Sequence, residues 1–180
     1  EVEAYEQRKL WMLNGSHSLM AYAGPILGVE TVAEGIAHPR LREIVQTWWQ
    51  EAGPGLSVPW EDYAQALIDR YENPNIRHLL AQIAADGSQK IPVRIAPTLR
   101  RFRKEGEMPK AAVTAVAAWL LHLRGHGAPI KEAAPEKLQA LVGGSLKEDA
   151  KNVLGHVVPE LAGDDELVTA VMQAAEELLA

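Results

Sequence analysis

Prolines and glycines divide this sequence into segments whose apolar residues recur at helical spacing. The most apolar segment runs from Ala111 to Leu123, and we expect this helix to lie at the centre of the core. No segment alternates polar and apolar residues in the way that a half-buried strand requires. The sequence therefore predicts an all-α, multi-helical domain.

Local start and stop signals give approximate limits for the helices. The first helix is predicted from Val2 to Tyr22, with a stop near Gly24-Pro25, because proline cannot continue a helix. A helix from Asn75 to Ala85 is predicted behind Asn73-Pro74. The remaining helices are predicted to begin after Thr31 (with Glu34 completing its cap), at Pro39, at Pro59, after Asp86-Gly87-Ser88 (a helix that either tolerates Pro97 or kinks there), at Pro109, and near Pro135, Leu146 and Asp164.

Composition excludes several classes of function. The 180 residues amount to one domain, and a formal charge of −6 gives no electrostatic footprint for nucleic acid. The absence of cysteine excludes disulfides and thiolate metal sites and fits a cytoplasmic location. No apolar run is long enough to predict a membrane span. His122 and His126 are four residues apart but lack the acid of a zinc-protease motif, so we predict no metal.

The stretch from Lys9 to Tyr22 carries the strongest chemical signal. On an α-helix, His17 lies roughly 80° and Asn14 roughly 140° from Lys9, so the three polar groups share one side. Asn14-Gly15 is also a strong hairpin signal, but Leu10-Trp11-Met12-Leu13 does not alternate as a strand would. A second alternative is a helix whose polar residues only cap, pair or face water.

Two motifs in this order resemble a known family. The pattern Lys-x4-Asn-Gly-Ser-His-Ser at residues 9–18 resembles the signature of the polyol-specific long-chain dehydrogenases, the mannitol dehydrogenase and fructuronate reductase family. The segment from Gln82 to Arg94, with the preceding Asn73-Pro74, resembles the same family. The likeness covers nearly the whole chain.

The resemblance implies a two-domain enzyme with an N-terminal Rossmann domain that binds NAD or NADP. Its C-terminal helical domain is similar to the C-terminal region of 6-phosphogluconate dehydrogenase. This chain resembles only the second half: it has no Gly-x-Gly-x-x-Gly motif, and it begins at Glu1 without an initiating methionine. We therefore expect residues 1–180 to be the substrate-binding and catalytic domain, with its own Rossmann domain as partner.

The resemblance also implies roles for individual residues. Lys9 matches the lysine that acts as general acid and base without a metal, and we expect it to be desolvated. Asn14 matches the asparagine that hydrogen-bonds the reacting oxygen, and His17 matches the histidine that orients substrate hydroxyls. Gly15 is expected to let the sugar or the nicotinamide approach the helix.

Two further cations are candidates for substrate binding. Lys90 matches a lysine of the family's substrate pocket, although it could instead be an exposed charge at a helix start. Arg94 could meet a uronate carboxylate or pair with a surface acid. Gln82 stands where some mannitol-type members have an arginine, which leaves the choice of substrate open.

The predicted function is the C-terminal domain of an NAD(P)-dependent polyol or hexuronate oxidoreductase, of the mannitol/fructose or mannonate/fructuronate type. The alternative is a non-catalytic helical module that binds a protein partner through a tryptophan-rich face. We expect an exposed apolar patch where the Rossmann domain would dock, and this patch could include Trp11 or the Trp48-Trp49 pair. The alternative for Trp48-Trp49 and for Trp119 is packing in the core or between domains. The basic run of residues 100–104 is predicted to be a solvated helix end, and the alternative is contact with a cofactor phosphate or with the missing domain.

Overall fold

The computed structural model describes residues 2–180, and within this range it contains helices and no strand. This confirms the predicted all-α fold. The α-helices are α1 (Val2–Arg8), α2 (Gly15–Ile26), α3 (Val32–Ala37), α4 (Pro39–Ala52), α5 (Glu61–Tyr71), α6 (Leu80–Ile83), α7 (Gly87–Arg94), α8 (Ala96–Lys104), α9 (Lys110–Leu123), α10 (Pro135–Gln139), α11 (Leu146–Val157) and α12 (Asp165–Leu179). A π-helical turn spans Lys9–Asn14, and 3-10 turns span Gly53–Gly55 and Pro159–Leu161.

Helix α9 is the centre of the core, as predicted. Every residue from Ala111 to Leu123 is buried, and α2, α4, α8, α11 and α12 pack around the helix. The carboxylate of Glu51 accepts the first free N–H groups of α9, from Ala111 at 2.8 Å and Ala112 at 2.9 Å. Burial raises the pKa of Glu51 to about 7, against the opposing effect of these two hydrogen bonds.

Helix α1, the π turn and α2 form one rod, because the backbone stays right-handed helical at both junctions, Arg8 and Asn14. The rod ends at Ile26, one residue beyond the predicted stop near Gly24-Pro25, because α2 includes Pro25. Proline keeps a helical φ and lacks only its own N–H, so the last turn of a helix accommodates it.

The helix predicted from Asn75 to Ala85 is largely absent, because only α6 is helical there. The backbone pairs across the fold instead: the N–H of Val32 bonds to the carbonyl of His78 at 3.0 Å, and the N–H of Leu80 bonds to the carbonyl of Glu30 at 2.9 Å. These bonds bring His78 toward the N-terminal rod.

Most other helix starts agree with the sequence. Thr31 accepts the N–H of Glu34 at 3.1 Å, and Pro39 opens α4. The predicted start at Pro59 is wrong, because α5 begins two positions later with Glu61. The helix predicted after Ser88 is divided at Ile95 into α7 and α8, and the first turn of α8 tolerates Pro97. No helix within residues 2–180 is long and apolar enough to cross a membrane.

Two predictions about the surface are wrong. The basic run is not simply solvated, because the side chain of Arg103 is 8% exposed and pairs with Asp164 at 2.8 Å. The expected tryptophan patch is buried: Trp11 is 8% exposed, Trp48 is 0% exposed and Trp49 is 2% exposed.

Candidate active site

The π turn sets the geometry of the candidate site. A π-helix bonds each N–H to the carbonyl five residues back, and the N–H of Gly15 follows this rule to the carbonyl of Leu10. Lys9 and Asn14, also five residues apart, are the first and last residues of the turn. They therefore lie about one turn apart on the same side, closer in azimuth than the roughly 140° of an ideal α-helix.

Two tryptophans of α4 donate hydrogen bonds to the backbone of the π turn. The indole Nε1–H of Trp48 donates to the carbonyl of Trp11 at 2.8 Å, and that of Trp49 donates to the carbonyl of Met12 at 3.0 Å. Both indoles are buried, so these bonds are shielded from water.

The next carbonyl, that of Leu13, also accepts side-chain hydrogen bonds. The hydroxyl of Tyr71 donates to it at 3.2 Å, and the hydroxyl of Ser16 donates to it at 3.0 Å. The two hydroxyl oxygens are 2.8 Å apart, so either hydroxyl can donate to the other in place of its bond to Leu13. Tyr71 belongs to α5, so a second helix fixes the same turn.

His17 lies half-buried one turn above Asn14, at the i,i+3 spacing that makes side chains neighbours. Its ring stacks on Tyr71 with a centroid distance of 5.1 Å and meets the edge of His78 at 5.3 Å. Burial is the largest cause that lowers the pKa of His17 to about 4, and the neighbouring His78 and Arg70 lower the pKa further. The imidazole is therefore neutral near pH 7 and can both donate and accept a hydrogen bond.

Arg94 joins helix α7 to the rod. One guanidinium nitrogen, Nη1, donates to the hydroxyl of Ser18 at 3.0 Å and to the carbonyl of Asn14 at 3.4 Å. Burial lowers the pKa of Arg94. Arg94 thus bonds to α2 instead of pairing with a surface acid, which was one of its two predicted alternatives.

Lys90 lies on the same helix and is half-buried, so it is not the fully exposed helix-start charge that was one alternative. Its Nζ donates to the carbonyl of Ile83 at 3.4 Å. Burial and the nearby Arg94 lower the pKa of Lys90. The charges of Lys90 and Arg94 also contribute to the low pKa of His17, which places these three side chains in one electrostatic environment.

The start of α7 is fixed by the loop before α10. The N–H of Asp86 bonds to the carbonyl of Lys131 at 2.9 Å, and the hydroxyl of Ser88 bonds to Glu132 at 2.7 Å. These contacts hold the helix that carries Lys90.

Two expectations for the site differ from the structure. Gly15 does not face a ligand, because a Cβ added there would lie 2.9 Å from the indole of Trp48. The glycine makes room for that tryptophan. Lys9 is exposed, so residues 2–180 do not supply the desolvation that we expected for it.

Sequence reasoning missed the roles of Tyr71, His78 and Ser18 around the candidate site. Tyr71 lies at the end of a separate helix, and no spacing rule connects it with His17. Ser18 lies inside the first motif, so the motif itself was the available signal.

A family model described as the mannitol dehydrogenase C-terminal domain matches residues 1–179. The chain belongs to this family. The match confirms the family indicated by the two motifs, and it extends over every helix of the fold.

Individual relatives agree with this assignment to the mannitol dehydrogenase family. D-mannonate oxidoreductase of Escherichia coli is 39% identical over 130 residues, which cover 69% of this chain and 27% of the relative. Mannitol 2-dehydrogenase of Pyrenophora tritici-repentis is 32% identical over 192 residues, which cover 99% of this chain and 33% of the relative. The chain therefore spans about a third of the length of the curated relatives that it matches.

A solved structure shows the same fold. Pseudomonas fluorescens mannitol 2-dehydrogenase, in a ternary complex with NAD and D-mannitol, matches with a TM-score of 0.89 and 27% sequence identity. The match covers 99% of this chain and 39% of that chain. The helical fold described above is thus the fold of a segment of an oxidoreductase.

Proposed function

We propose that this chain is the C-terminal, substrate-facing domain of an NAD(P)-dependent oxidoreductase that interconverts a secondary alcohol and a ketone. The substrate class is a polyol or a hexuronate, of the mannitol/fructose or mannonate/fructuronate type. The named activities of the relatives support this class. Cytoplasmic location belongs to the same proposal and is supported by the lack of cysteine.

The observation that carries the proposal is the π turn together with its cationic surroundings. The turn brings Lys9 and Asn14 to one side of the rod, and His17 follows one turn later. Lys90 and Arg94 approach from α7. A primary amine, an amide, a neutral imidazole and two cations form a set of donors suited to a substrate rich in oxygen.

In this proposal Lys9 carries the proton of the reacting group. Its neutral amine removes the proton from the alcohol oxygen, and its ammonium returns a proton to the carbonyl oxygen in the reverse direction. The side-chain amide of Asn14 donates a hydrogen bond to the same oxygen, where negative charge develops in the transition state. This chemistry uses no metal.

His17 and Lys90 are proposed to bind the rest of the substrate. The neutral imidazole of His17 can accept from one hydroxyl and donate to another. Lys90 can donate to hydroxyls or pair with the carboxylate of a hexuronate. Arg94 already bonds to Ser18, so its charge acts on the site while its position is held by α2.

The cofactor is assigned mainly to another part of the protein. Residues 2–180 contain no strand, and hence no strand–glycine–helix unit of the kind that holds dinucleotide phosphates. We propose an N-terminal Rossmann domain as the partner that binds NAD or NADP. When bound, the nicotinamide accepts or supplies the hydride. Docking of that domain over the rod would also cover Lys9, which is exposed in this chain.

The structure does not support the alternative of a non-catalytic module that binds a partner through exposed tryptophans. It required an exposed tryptophan face, but Trp48 and Trp49 are buried and hydrogen-bonded to the π turn. The exposed large apolar side chains are Val2, Tyr5, Ile76, Val93 and Leu179.

The proposal is tested by Lys9→Ala in the full-length enzyme. Turnover should fall about 100-fold or more, as is typical for the loss of a general acid–base group. The matched control is Lys151→Ala, an exposed lysine on α11, which should leave turnover unchanged. Activity would be measured with mannitol, sorbitol and mannonate and their ketones, each with both cofactors.

Normal turnover of Lys9→Ala across the pH range would show that another group carries the proton. Lack of activity of the parent enzyme on every polyol and aldonate would reject the substrate class. The isolated 180-residue domain should bind NAD and NADP weakly and be inactive. Micromolar cofactor binding by the domain in calorimetry would contradict the assignment of the cofactor to another domain.

A further inference from the structure

The backbone carbonyl of Trp11 lies where the π-helical pattern of hydrogen bonds changes to the α-helical pattern. The N–H of Gly15 bonds to the carbonyl of Leu10, five residues back. Once α2 has begun, the N–H of Ser16 has Met12 as its four-back acceptor. The carbonyl of Trp11 lies between these two acceptors, so neither rule gives it a backbone donor. This unmatched acceptor is a consequence of the π turn.

Trp48 supplies the missing donor. Its indole Nε1 lies 2.8 Å from the carbonyl oxygen of Trp11. Trp48 is 0% exposed and Trp11 is 8% exposed, so water has little access to that carbonyl. A buried carbonyl without a donor is strongly disfavoured, so this hydrogen bond stabilises the π turn relative to a regular helix. Gly15 leaves the space that the indole needs.

Without that donor, the regular α-helix becomes the better arrangement. In an α-helix the carbonyl of Trp11 accepts from the N–H of Gly15, four residues on. The same change would turn Lys9 to roughly 140° from Asn14 around the helix axis. The hydrogen bond from Trp48 therefore affects the relative direction of two side chains that it does not touch.

The carbonyls of Met12 and Leu13 each have more than one hydrogen-bond donor, so neither carbonyl depends on a single side chain. The carbonyl of Met12, bonded by Trp49, also accepts from the N–H of Gly15. The carbonyl of Leu13 has two side-chain donors, Tyr71 and Ser16. Loss of any one of these bonds leaves its acceptor partly satisfied, whereas loss of the Trp48 bond does not.

We infer that Trp48 is a positioning residue: its indole N–H maintains the π turn and thereby holds Lys9 and Asn14 on one side of the rod. The inference rests on the proposed function, in which both side chains act on one oxygen atom. Trp48 has no contact with the substrate in this scheme and acts only through the backbone of Trp11.

The test compares Trp48→Phe with Trp119→Phe in the full-length enzyme. Both indoles are 0% exposed, but the Nε1–H of Trp119 has no hydrogen-bond partner among residues 2–180. Both variants therefore lose part of a buried ring, and only Trp48→Phe loses a hydrogen bond. Trp48→Phe should lower kcat by about 10- to 100-fold, the effect of a misplaced catalytic group, with little change in KM. Trp119→Phe should keep the parent kcat.

A second variant separates the hydrogen bond from the volume of the ring. Placing 3-benzothienylalanine at position 48 keeps the bicyclic ring and replaces the N–H by sulfur. It should reproduce the loss of kcat and shift the pH profile of kcat/KM, which reports the environment of the group that carries the proton. Trp49→Phe should have a smaller effect than Trp48→Phe.

Crystal structures of the position-48 variants decide the geometry independently of activity. The inference predicts that residues 9–14 lose the five-back pattern of hydrogen bonds. A variant that retains the π turn, or that retains the parent kcat and pH profile, would overturn it. If the parent enzyme has no activity on polyols or hexuronates, the proposed function fails, while the structure of the benzothienylalanine protein still decides whether Trp48 maintains the turn.

Discussion

Replacement of Gly15 by alanine should destabilise the domain, although alanine normally favours a helix. Gly→Ala in a helix interior contributes about 1 kcal/mol of stability. Here the added Cβ would lie 2.9 Å from Cζ2 and Nε1 of Trp48, a contact that forces a rigid, hydrogen-bonded ring to move. Overpacking of this kind costs about 1–3 kcal/mol, and weakening the bond from Trp48 to Trp11 costs about 1 kcal/mol more. The expected net change is a loss of about 1–3 kcal/mol.

Gly155 on α11 provides the matched control, because the nearest atom to a Cβ added there is 3.9 Å away. Gly155→Ala should stabilise the domain by about 0.5–1 kcal/mol. Both variants would be compared with the parent by urea denaturation of the 180-residue chain, with tryptophan fluorescence as the signal of unfolding. If Gly15→Ala proved as stable as the parent or more stable, the close packing of Trp48 against the π turn would be refuted.

Two further predictions concern pH. The folded-state pKa of Glu51, about 7, exceeds its ordinary value of 4.5, so its contribution to stability is complete below pH 4.5 and is lost as pH rises through 7. At about 1.4 kcal/mol per pH unit, the change between pH 4.5 and pH 7 is about 3.5 kcal/mol. Glu51→Gln should flatten this part of the curve of unfolding free energy against pH, and an unchanged slope would contradict the assignment. His17 has a pKa of about 4 and is already neutral at pH 6. His17→Gln should therefore raise KM for the substrate without shifting the pH profile of kcat/KM above pH 6, and a shift there would show that His17 titrates during catalysis.

The sequence was sufficient to predict helices whose starts depend on local chemistry. Pro39 opens α4 because its fixed φ suits a first helical position, and Thr31 caps α3 with its own hydroxyl. The helix predicted from Asn75 failed for a non-local reason. The N–H of Leu80 bonds to the carbonyl of Glu30, a partner that no pattern within residues 75–85 reveals.

The candidate site, like the fold, could be predicted only where its residues lie close together in the sequence. Lys9, Asn14 and His17 could be found together because they lie in one short stretch. The π turn that relates Lys9 to Asn14 could not be predicted, since its donors Trp48 and Tyr71 lie far away in the sequence. Local periodicity favours the α-helix, and only tertiary hydrogen bonds make the wider turn the better solution.

The π turn can also be described as one residue more than an α-helix would use to cover the same length of rod. Deleting one residue inside Lys9–Asn14 would remove the turn while leaving α2 against its neighbours. Helix α1 would then keep about its present direction, because five α-helical residues turn through roughly the same angle as six π-helical residues. The spacing of five between the lysine and the asparagine is therefore the trace of the turn in the sequence. A related chain with a spacing of four would be expected to have a regular α-helix here, in which the lysine and the asparagine lie about 40° apart and still share one side of the rod.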